Sequence, residues 1–133
     1  MKPLLFLISC SLVLFGSEFS VIVSKKLPFS TLSTQYIRDL YLLKRHSVGN
    51  IRIIPINLVG QDESRSIFES TVLQMDRNRL NDYWVKQHFQ GVTPPLTQPS
   101  FESIKAFVQN VEGAMGYLPS SMVDANVKVI YEF

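Results

Sequence analysis

The chain has almost no cysteine, which removes one common means of holding a small protein together. Its single cysteine among 133 residues, Cys10, lies in an apolar stretch near the N-terminus. If that stretch is removed as a signal, neither disulfides nor thiol chemistry can contribute to the remaining protein. A domain of this length then depends on its apolar core alone, which favours a regular layered fold over a loop-rich, cross-linked one.

The sequence also lacks a strong excess of either charge. Thirteen basic and eleven acidic residues give a formal net charge of +2. A chain with so small an excess has no extended field to attract nucleic acid or a strongly acidic partner. We therefore expect no nucleic-acid partner.

Motifs that signal enzymatic chemistry are missing as well. The sequence has no nucleophile elbow, zinc-binding helix motif, P-loop or cysteine pair. The two histidines, His46 and His88, lie far apart, and neither belongs to a carboxylate or cysteine cluster at ligand spacing. We expect a non-enzymatic protein without a metal, a cofactor or catalytic residues.

The first twenty residues are typical of a secretory signal peptide. A basic residue precedes the apolar run Leu4–Phe15, which is shorter than a membrane-spanning helix requires. The small residues within Gly16–Ser20 form no clear cleavage motif, so an uncleaved N-terminal membrane anchor is the alternative. We predict a signal peptide over residues 1–20, a single domain over residues 21–133, and a periplasmic or secreted location.

Strand-like and helix-like segments alternate through the predicted domain. Ser33, Asp76 and Ser100 are expected to be N-caps, since each precedes a helical repeat of apolar residues. Connections too long for tight hairpins indicate an α/β fold, with a mostly parallel sheet flanked by helices. The predicted elements are a strand at Val21–Ser24, a helix from Ser33 to Lys44, a strand at Ile51–Val59, helices from about Ser64, from Asp76 to near Gly91 and from Ser100, and strands at Gly113–Leu118 and Val127–Tyr131.

Several local features refine these expectations. Pro55 cannot donate a hydrogen bond to a sheet, so we expect its strand to be bulged or at an edge. Three prolines make Val92–Pro99 a stiff extended loop without a strand. Tyr83, Trp84 and Phe89 have helical spacing and are expected in the core. The helix after the second strand is expected to bury an apolar stripe formed by Ile67, Phe68, Thr71, Val72 and Met75.

The stretch Arg52–Phe68 is the predicted ligand site. It runs from an apolar strand through a polar turn to a helix start, where free N–H groups and the helix dipole attract anions. The hydroxyls of Ser64 and Ser66 flank the guanidinium of Arg65, and together these groups could surround a small oxyanion. The alternatives are helix capping by the serines and a solvated position for Arg65, while Asp62 either caps the helix or accepts a proton from monohydrogen phosphate.

Four short motifs occur in a characteristic order: Leu32–Lys44, Ile53–Asn57, Tyr83–Trp84 with Phe89–Gly91, and Gly113–Tyr117. This order resembles one lobe of the phosphate-type periplasmic substrate-binding proteins of ABC transporters, which have the type II periplasmic-binding fold. The last motif, Gly-Ala-Met-Gly-Tyr, is close to that family's Gly-Ala-Ile-Gly-Tyr. The resemblance covers nearly all of residues 21–133. It implies a periplasmic-binding-protein-like lobe with phosphate or a similar oxyanion as ligand and a transporter or another envelope protein as partner.

Two departures from that family affect the expected site. Its members have two lobes that close on the anion, and residues 21–133 have room for about one. Asn57 stands at the family's strand-end arginine, and Ser64, Arg65 and Ser66 stand at its Ser-Gly-Thr. The resemblance therefore implies an anion site at these four positions. This site lacks the family's strand-end arginine, whose bidentate guanidinium the amide of Asn57 does not replace. We expect weak oxyanion binding by the chain alone or as a homodimer; the alternative is an envelope interaction module that kept the lobe and lost the ligand.

Overall fold

The computed structural model of the chain describes residues 17–133. Within this range the predicted strands and helices are present, and several local expectations are wrong. The strands are β1 (Phe19–Ser24), β2 (Ser47–Val48), β3 (Ile51–Arg52), β4 (Ile54–Leu58), β5 (Leu96–Gln98), β6 (Ala114–Pro119) and β7 (Val127–Glu132). The helices are α1 (Thr34–Tyr41), α2 (Glu63–Phe68), α3 (Arg77–His88) and α4 (Phe101–Asn110), with a π-helical turn at Glu69–Leu73 and a 3-10 turn at Ser120–Met122.

Five strands form one sheet in the order β5-β4-β6-β1-β7, while β2 and β3 form a separate hairpin. Strand β4 is parallel to both β5 and β6, and β1 is antiparallel to both β6 and β7. Four strands of the sheet therefore point the same way, and β1 runs in the opposite direction. This arrangement confirms the predicted α/β fold with a mostly parallel sheet flanked by helices.

The two strands at the centre of the core are covered on both faces. All six residues of β1 are buried, as are the first five of β6. On one face a Cβ at Gly116 would lie 2.5 Å from Cγ2 of Ile104, so α4 packs directly against the backbone of β6. On the other face Tyr117 stacks on Phe68, with 4.0 Å between ring centroids. Helices on both faces explain why these strands read as continuous apolar runs.

Three predicted N-caps are confirmed. The side chain of Ser33 accepts a hydrogen bond from the N–H of Tyr36, that of Asp76 from the N–H of Arg79, and that of Ser100 from the N–H of Ser103. Each satisfies an N–H that lacks a partner within its own helix.

The expectation of an edge or bulge at Pro55 is wrong, since β4 lies between β5 and β6. The N–H of Ile54 donates to the carbonyl oxygen of Gly113, toward β6. Backbone directions alternate along a strand, so the nitrogen of Pro55 faces β5, whose pairing begins only at Ile56 with Leu96. The N–H that Pro55 lacks would therefore point past the end of β5.

The expectation that Val92–Pro99 holds no strand is also wrong. Leu96–Gln98 is β5, parallel to β4, and the N–H of Val59 donates to the carbonyl oxygen of Gln98 over 3.0 Å. Because β5 is at the edge of the sheet, it needs partners on one side only, and the prolines at positions 95 and 99 flank it without breaking a ladder.

The predicted stripe after the second strand is correct only in part. Phe68 and Val72 are buried, whereas Thr71 is exposed and Glu69 is buried instead. The α-helix ends at Phe68, and Glu69, which begins a wider π-helical turn, lies on the helix face of Arg65, four residues earlier. The carbonyl oxygen of Val72 accepts a 3.0 Å hydrogen bond from Nε of Arg38 on α1, which supports this turn.

Helix α3 contributes less to the core than its aromatic residues suggest. Leu80 is its one buried residue, and Tyr83 and Trp84 are half-buried. Phe89, just beyond the helix, is 85% exposed, so the prediction that it lies in the core is wrong.

Candidate functional site

The C-terminal end of β4 brings together the buried polar groups of Asn57 and Tyr117. The amide Oδ1 of Asn57 accepts hydrogen bonds from the hydroxyl of Tyr117 (2.5 Å) and the N–H of Leu58 (2.9 Å). Because an N–H can donate only to an oxygen here, these bonds determine the orientation of the amide. Among the described residues no acceptor binds Nδ2 of Asn57, and every fully buried side-chain nitrogen or oxygen has a partner. Nδ2 is therefore a donor at the margin of open space.

Burial keeps the tyrosine hydroxyls of this region protonated. Desolvation raises the pKa of Tyr117 well above its ordinary value, although the N–H of Leu58 and the charge of Arg65 oppose the change. Desolvation also raises the pKa of Tyr41, whose hydroxyl donates to the carbonyl oxygen of Ile56 over 2.9 Å. Both hydroxyls thus act as hydrogen-bond donors across the physiological range.

Arg65 does not have the solvated position that was one of the alternatives. Its side chain is only 15% exposed, and it folds back over the end of β4. Its Nη1 donates to the carbonyl oxygen of Leu58 over 3.0 Å, and its Nε lies 3.4 Å from Oε2 of Glu69. The guanidinium is positioned by the strand end and by a carboxylate four residues along the chain.

Glu69 connects this guanidinium to a second one. Its other oxygen, Oε1, lies 2.7 Å from Nη2 of Arg77 at the start of α3, and its side chain is 5% exposed. Arg77 is more open, with 41% of its side chain exposed. We call Arg65, Glu69 and Arg77 the arginine–glutamate cluster, in which two positive charges surround one negative charge.

The two predicted serines lie away from the end of β4. Asp62 is the N-cap of α2, since its side chain accepts a 2.8 Å hydrogen bond from the N–H of Ser64. The cap of α2 is therefore Asp62 and neither of the two serines. Ser66 is exposed and lines an open groove of about 380 Å³, shared with Glu63 and Arg77.

A small cavity of about 40 Å³ lies on the inner side of the cluster, with polar lining from Asn57, Arg65, Glu69 and Thr97. Asn57 and Thr97 are paired across β4 and β5, so the cavity opens at the C-terminal ends of parallel strands, where ligands of open α/β sheets usually bind. Its volume fits a water molecule or a single oxygen of a larger group. The structure thus brings Asn57 and Arg65 together, places Ser66 in the outer groove, and puts Ser64 in neither cavity.

Glu69, Arg77, Thr97 and Tyr117 were not among the predicted site residues. The spacing of Arg65 and Glu69, four residues apart, is the pattern of a helical ion pair and could have indicated their contact. The approach of Arg77 from the next helix has no comparable sequence signal, because it depends on the π-helical turn.

Residues 17–133 include neither a candidate metal cluster nor a candidate membrane-spanning helix. These residues contain no group of three or more His, Cys, Asp or Glu side chains able to hold a metal ion. Within the same range, no helix has both the length and the apolar character needed to cross a membrane.

Comparisons with known proteins give a match in structure and none in sequence. No family model and no curated protein matches the sequence. A Clostridium perfringens protein, assigned as a phosphate ABC transporter substrate-binding protein and solved with bound phosphate, has a TM-score of 0.70 and 20% identity over 86% of this chain and 44% of its own. An ABC-type phosphate transport receptor from Vibrio cholerae has a TM-score of 0.71 and 19% identity over 87% and 47%.

A third match is PstS from Borrelia burgdorferi, with a TM-score of 0.64 and 13% identity over 86% of this chain and 46% of PstS. The chain therefore spans less than half the length of each of these three proteins. Identities this low establish likeness of fold. Residues 19–132 have the fold of one lobe of the phosphate-type substrate-binding proteins of ABC transporters.

Proposed function

We propose that the chain is a non-enzymatic, phosphate-type substrate-binding lobe that binds a small oxyanion weakly at the C-terminal end of β4. The observation that supports this most is the coincidence of two features: the shared fold, and a pair of guanidiniums beside an unpartnered amide donor at that strand end.

The available donors suit an oxyanion that enters from the Arg77 side. Arg77 is the more exposed cation and lines the outer groove, Asn57 and Arg65 line the inner cavity, and Glu69 lines both. The hydroxyls of Ser64 and Ser66 would contact the same anion only if it extended along the start of α2. Glu69 and Asp62 oppose binding through like charge, which accounts for the expected weakness.

The proposed location is periplasmic or secreted, with a signal peptide over about residues 1–20. Residues 1–16 lie outside the described part of the chain. Strand β1 begins at Phe19, so cleavage before that residue leaves the strand whole. The proposed partners are a transporter or another envelope protein, and a second copy of the chain that completes the binding surface.

The test is a titration of the secreted protein with phosphate and sulfate at low salt, followed by calorimetry and by thermal shift. We expect dissociation constants in the millimolar range, and Arg77→Gln should weaken binding by at least about tenfold through loss of a charged hydrogen bond. Arg79→Gln is the matched control, since it removes an exposed charge two residues along the same helix, on a different face. The absence of both binding heat and a thermal shift at millimolar anion would overturn the proposal.

The alternative is an envelope interaction module that kept the lobe and lost the ligand. Two observations favour it: Arg65 is already occupied by protein acceptors, and apolar side chains are exposed around the end of α3. Val85 is 57% exposed, Phe89 85% and Leu96 59%. Crosslinking in envelope extracts should then capture a specific protein with the unmodified chain and not with Phe89→Ser. Recovery of no partner counts against the module.

A further inference from the structure

Glu69 is an unusual residue for an anion site, because its carboxylate is buried between the two guanidiniums that an anion would use. Its two oxygens face different partners, Arg65 at 3.4 Å and Arg77 at 2.7 Å. It also lines both the small inner cavity and the outer groove. Any anion that reaches either guanidinium must therefore lie close to this carboxylate.

We propose that Glu69 is a built-in anion that lowers the charge of the site, and that it thereby reduces the advantage of doubly charged over singly charged anions. This inference rests on the proposed oxyanion site and concerns its selectivity. With Glu69 in place, the arginine–glutamate cluster carries a net charge of +1, and without it the net charge would be +2. Because the attraction scales with the product of the two charges, this difference counts twice for a dianion and once for a monoanion.

The backbone makes this placement a structural property of the chain. Glu69 has α-helical backbone angles and lies four residues after Arg65, so the two side chains share one face of α2, and the π-helical turn begins at Glu69. The turn is bound to α1 through Arg38 and ends at Gln74 in the left-handed region, with φ of 56°. Single π-helical turns of this kind occur frequently at functional sites.

Coulomb's law gives the expected size of the effect. A carboxylate a few ångströms from a bound anion repels each of the anion's charges, and in a partly buried site the repulsion changes affinity by roughly tenfold for each charge. Removing the carboxylate should therefore raise affinity about tenfold for a monoanion and about a hundredfold for a dianion. The ratio of the two gains separates a charge effect from a general change in the fold.

The experiment compares sulfate, a dianion, with nitrate, a monoanion, because neither changes charge between pH 6 and 8. Both are titrated into the secreted protein at constant ionic strength, and binding is followed by NMR chemical shifts. Glu69→Gln keeps the size of the side chain and removes its charge, and we expect the ratio of sulfate to nitrate affinity to rise about tenfold. Glu69→Asp and Glu102→Gln, at an exposed position that lines neither cavity, are controls that should leave the ratio within about twofold of the unmodified protein.

Arg77→Gln provides an independent variant in case Glu69→Gln does not fold. It removes an exposed cation, lowers the net charge of the cluster to zero, and should decrease the ratio of sulfate to nitrate affinity by about tenfold. An unchanged ratio in this variant overturns the inference.

The outcomes separate the inference from the proposed function. If the unmodified protein binds neither anion and Glu69→Gln binds sulfate more tightly than nitrate, the inference stands and oxyanion binding by the natural chain does not. If the unmodified protein binds and Glu69→Gln gains equally for both anions or loses affinity, the inference is wrong and the proposed function remains. Absence of binding in both proteins overturns both.

Discussion

Strand β1 and helix α3 each contain four apolar residues, yet these residues are buried to very different extents. All six residues of β1 are buried, whereas Leu80 is the one buried residue among the twelve of α3. Strand β1 lies between two strands in the sheet, whereas Leu80 and Trp84 of α3 line a cavity with Thr97 of the edge strand β5. Apolar periodicity therefore identifies which residues can be buried, and the number of layers above an element determines which of them are.

The sharpest test of this contrast compares two phenylalanines. Phe68→Ala removes a fully buried ring that stacks on Tyr117 and meets the edge of Tyr41 at 4.7 Å between centroids, so we expect a loss of about 3–5 kcal/mol in the free energy of unfolding. Phe89→Ala removes a ring that is 85% exposed and should change stability by less than about 0.5 kcal/mol. Urea unfolding followed by circular dichroism measures both.

A loss at Phe89 that approaches the loss at Phe68 would mean that the α3 surface is covered in solution. If a second copy is the cover, the stability of the unmodified protein should rise with its concentration, and Phe89→Ala should lose that dependence.

A smaller effect is expected from the hydroxyl of Tyr117 at high pH. Its pKa is raised in the folded protein by burial, so its contribution to stability is complete below the unfolded pKa, near 10, and decreases as pH rises toward the folded value. At pH 11 the unfolded chain has lost this proton and the folded chain retains it, which costs about 1.4 kcal/mol.

Unfolding free energies measured from pH 8 to pH 11 should therefore fall less steeply for Tyr117→Phe than for the unmodified protein. The slope is the informative quantity, because the substitution also removes the hydrogen bond to Asn57 at every pH. Equal slopes in the two proteins would contradict a buried, protonated hydroxyl.

The smallest effect concerns two serines at helix starts. Ser100 caps α4 through Ser103, whose own hydroxyl lies 3.2 Å from the N–H of Ser100, so Ser100→Ala should cost about 1 kcal/mol. Ser64 follows the cap formed by Asp62, so Ser64→Ala should leave thermal stability nearly unchanged. A decrease in melting temperature at Ser64 as large as that at Ser100 would show that Asp62 is not the effective cap.

Most of the fold was predictable because its signals are local. The caps at Ser33, Asp76 and Ser100 depend on residues within one turn, and the strands at β1 and β6 on short apolar runs. The errors arise where distant partners decide. Pro55 is tolerated because β5 begins one residue later, and β5 forms between prolines because β4 supplies its only partner in the sheet.

The site was predictable to a lesser extent, for a related reason. Arg65 was identified from the strand-loop-helix pattern and Asn57 from the family resemblance, and the two line one cavity. Whether they and the serines bind an anion stays a prediction. Glu69 was missed because the predicted stripe followed the apolar residues, whereas the buried positions are Phe68, Glu69, Val72 and Leu73. A buried carboxylate does not stand out in a pattern of apolar spacing.

The pairing of Phe19 with Phe133 has a mechanical consequence. The N–H of each residue donates to the carbonyl oxygen of the other, over 2.8 and 2.9 Å, and their rings stack at 5.3 Å. Strands β1 and β7 are antiparallel, so a force that pulls these two residues apart acts across the strands and opens their hydrogen bonds one after another. Tension between positions 19 and 133 should therefore peel β7 from the sheet at low force, while the interior pairing of β1 with β6 still holds.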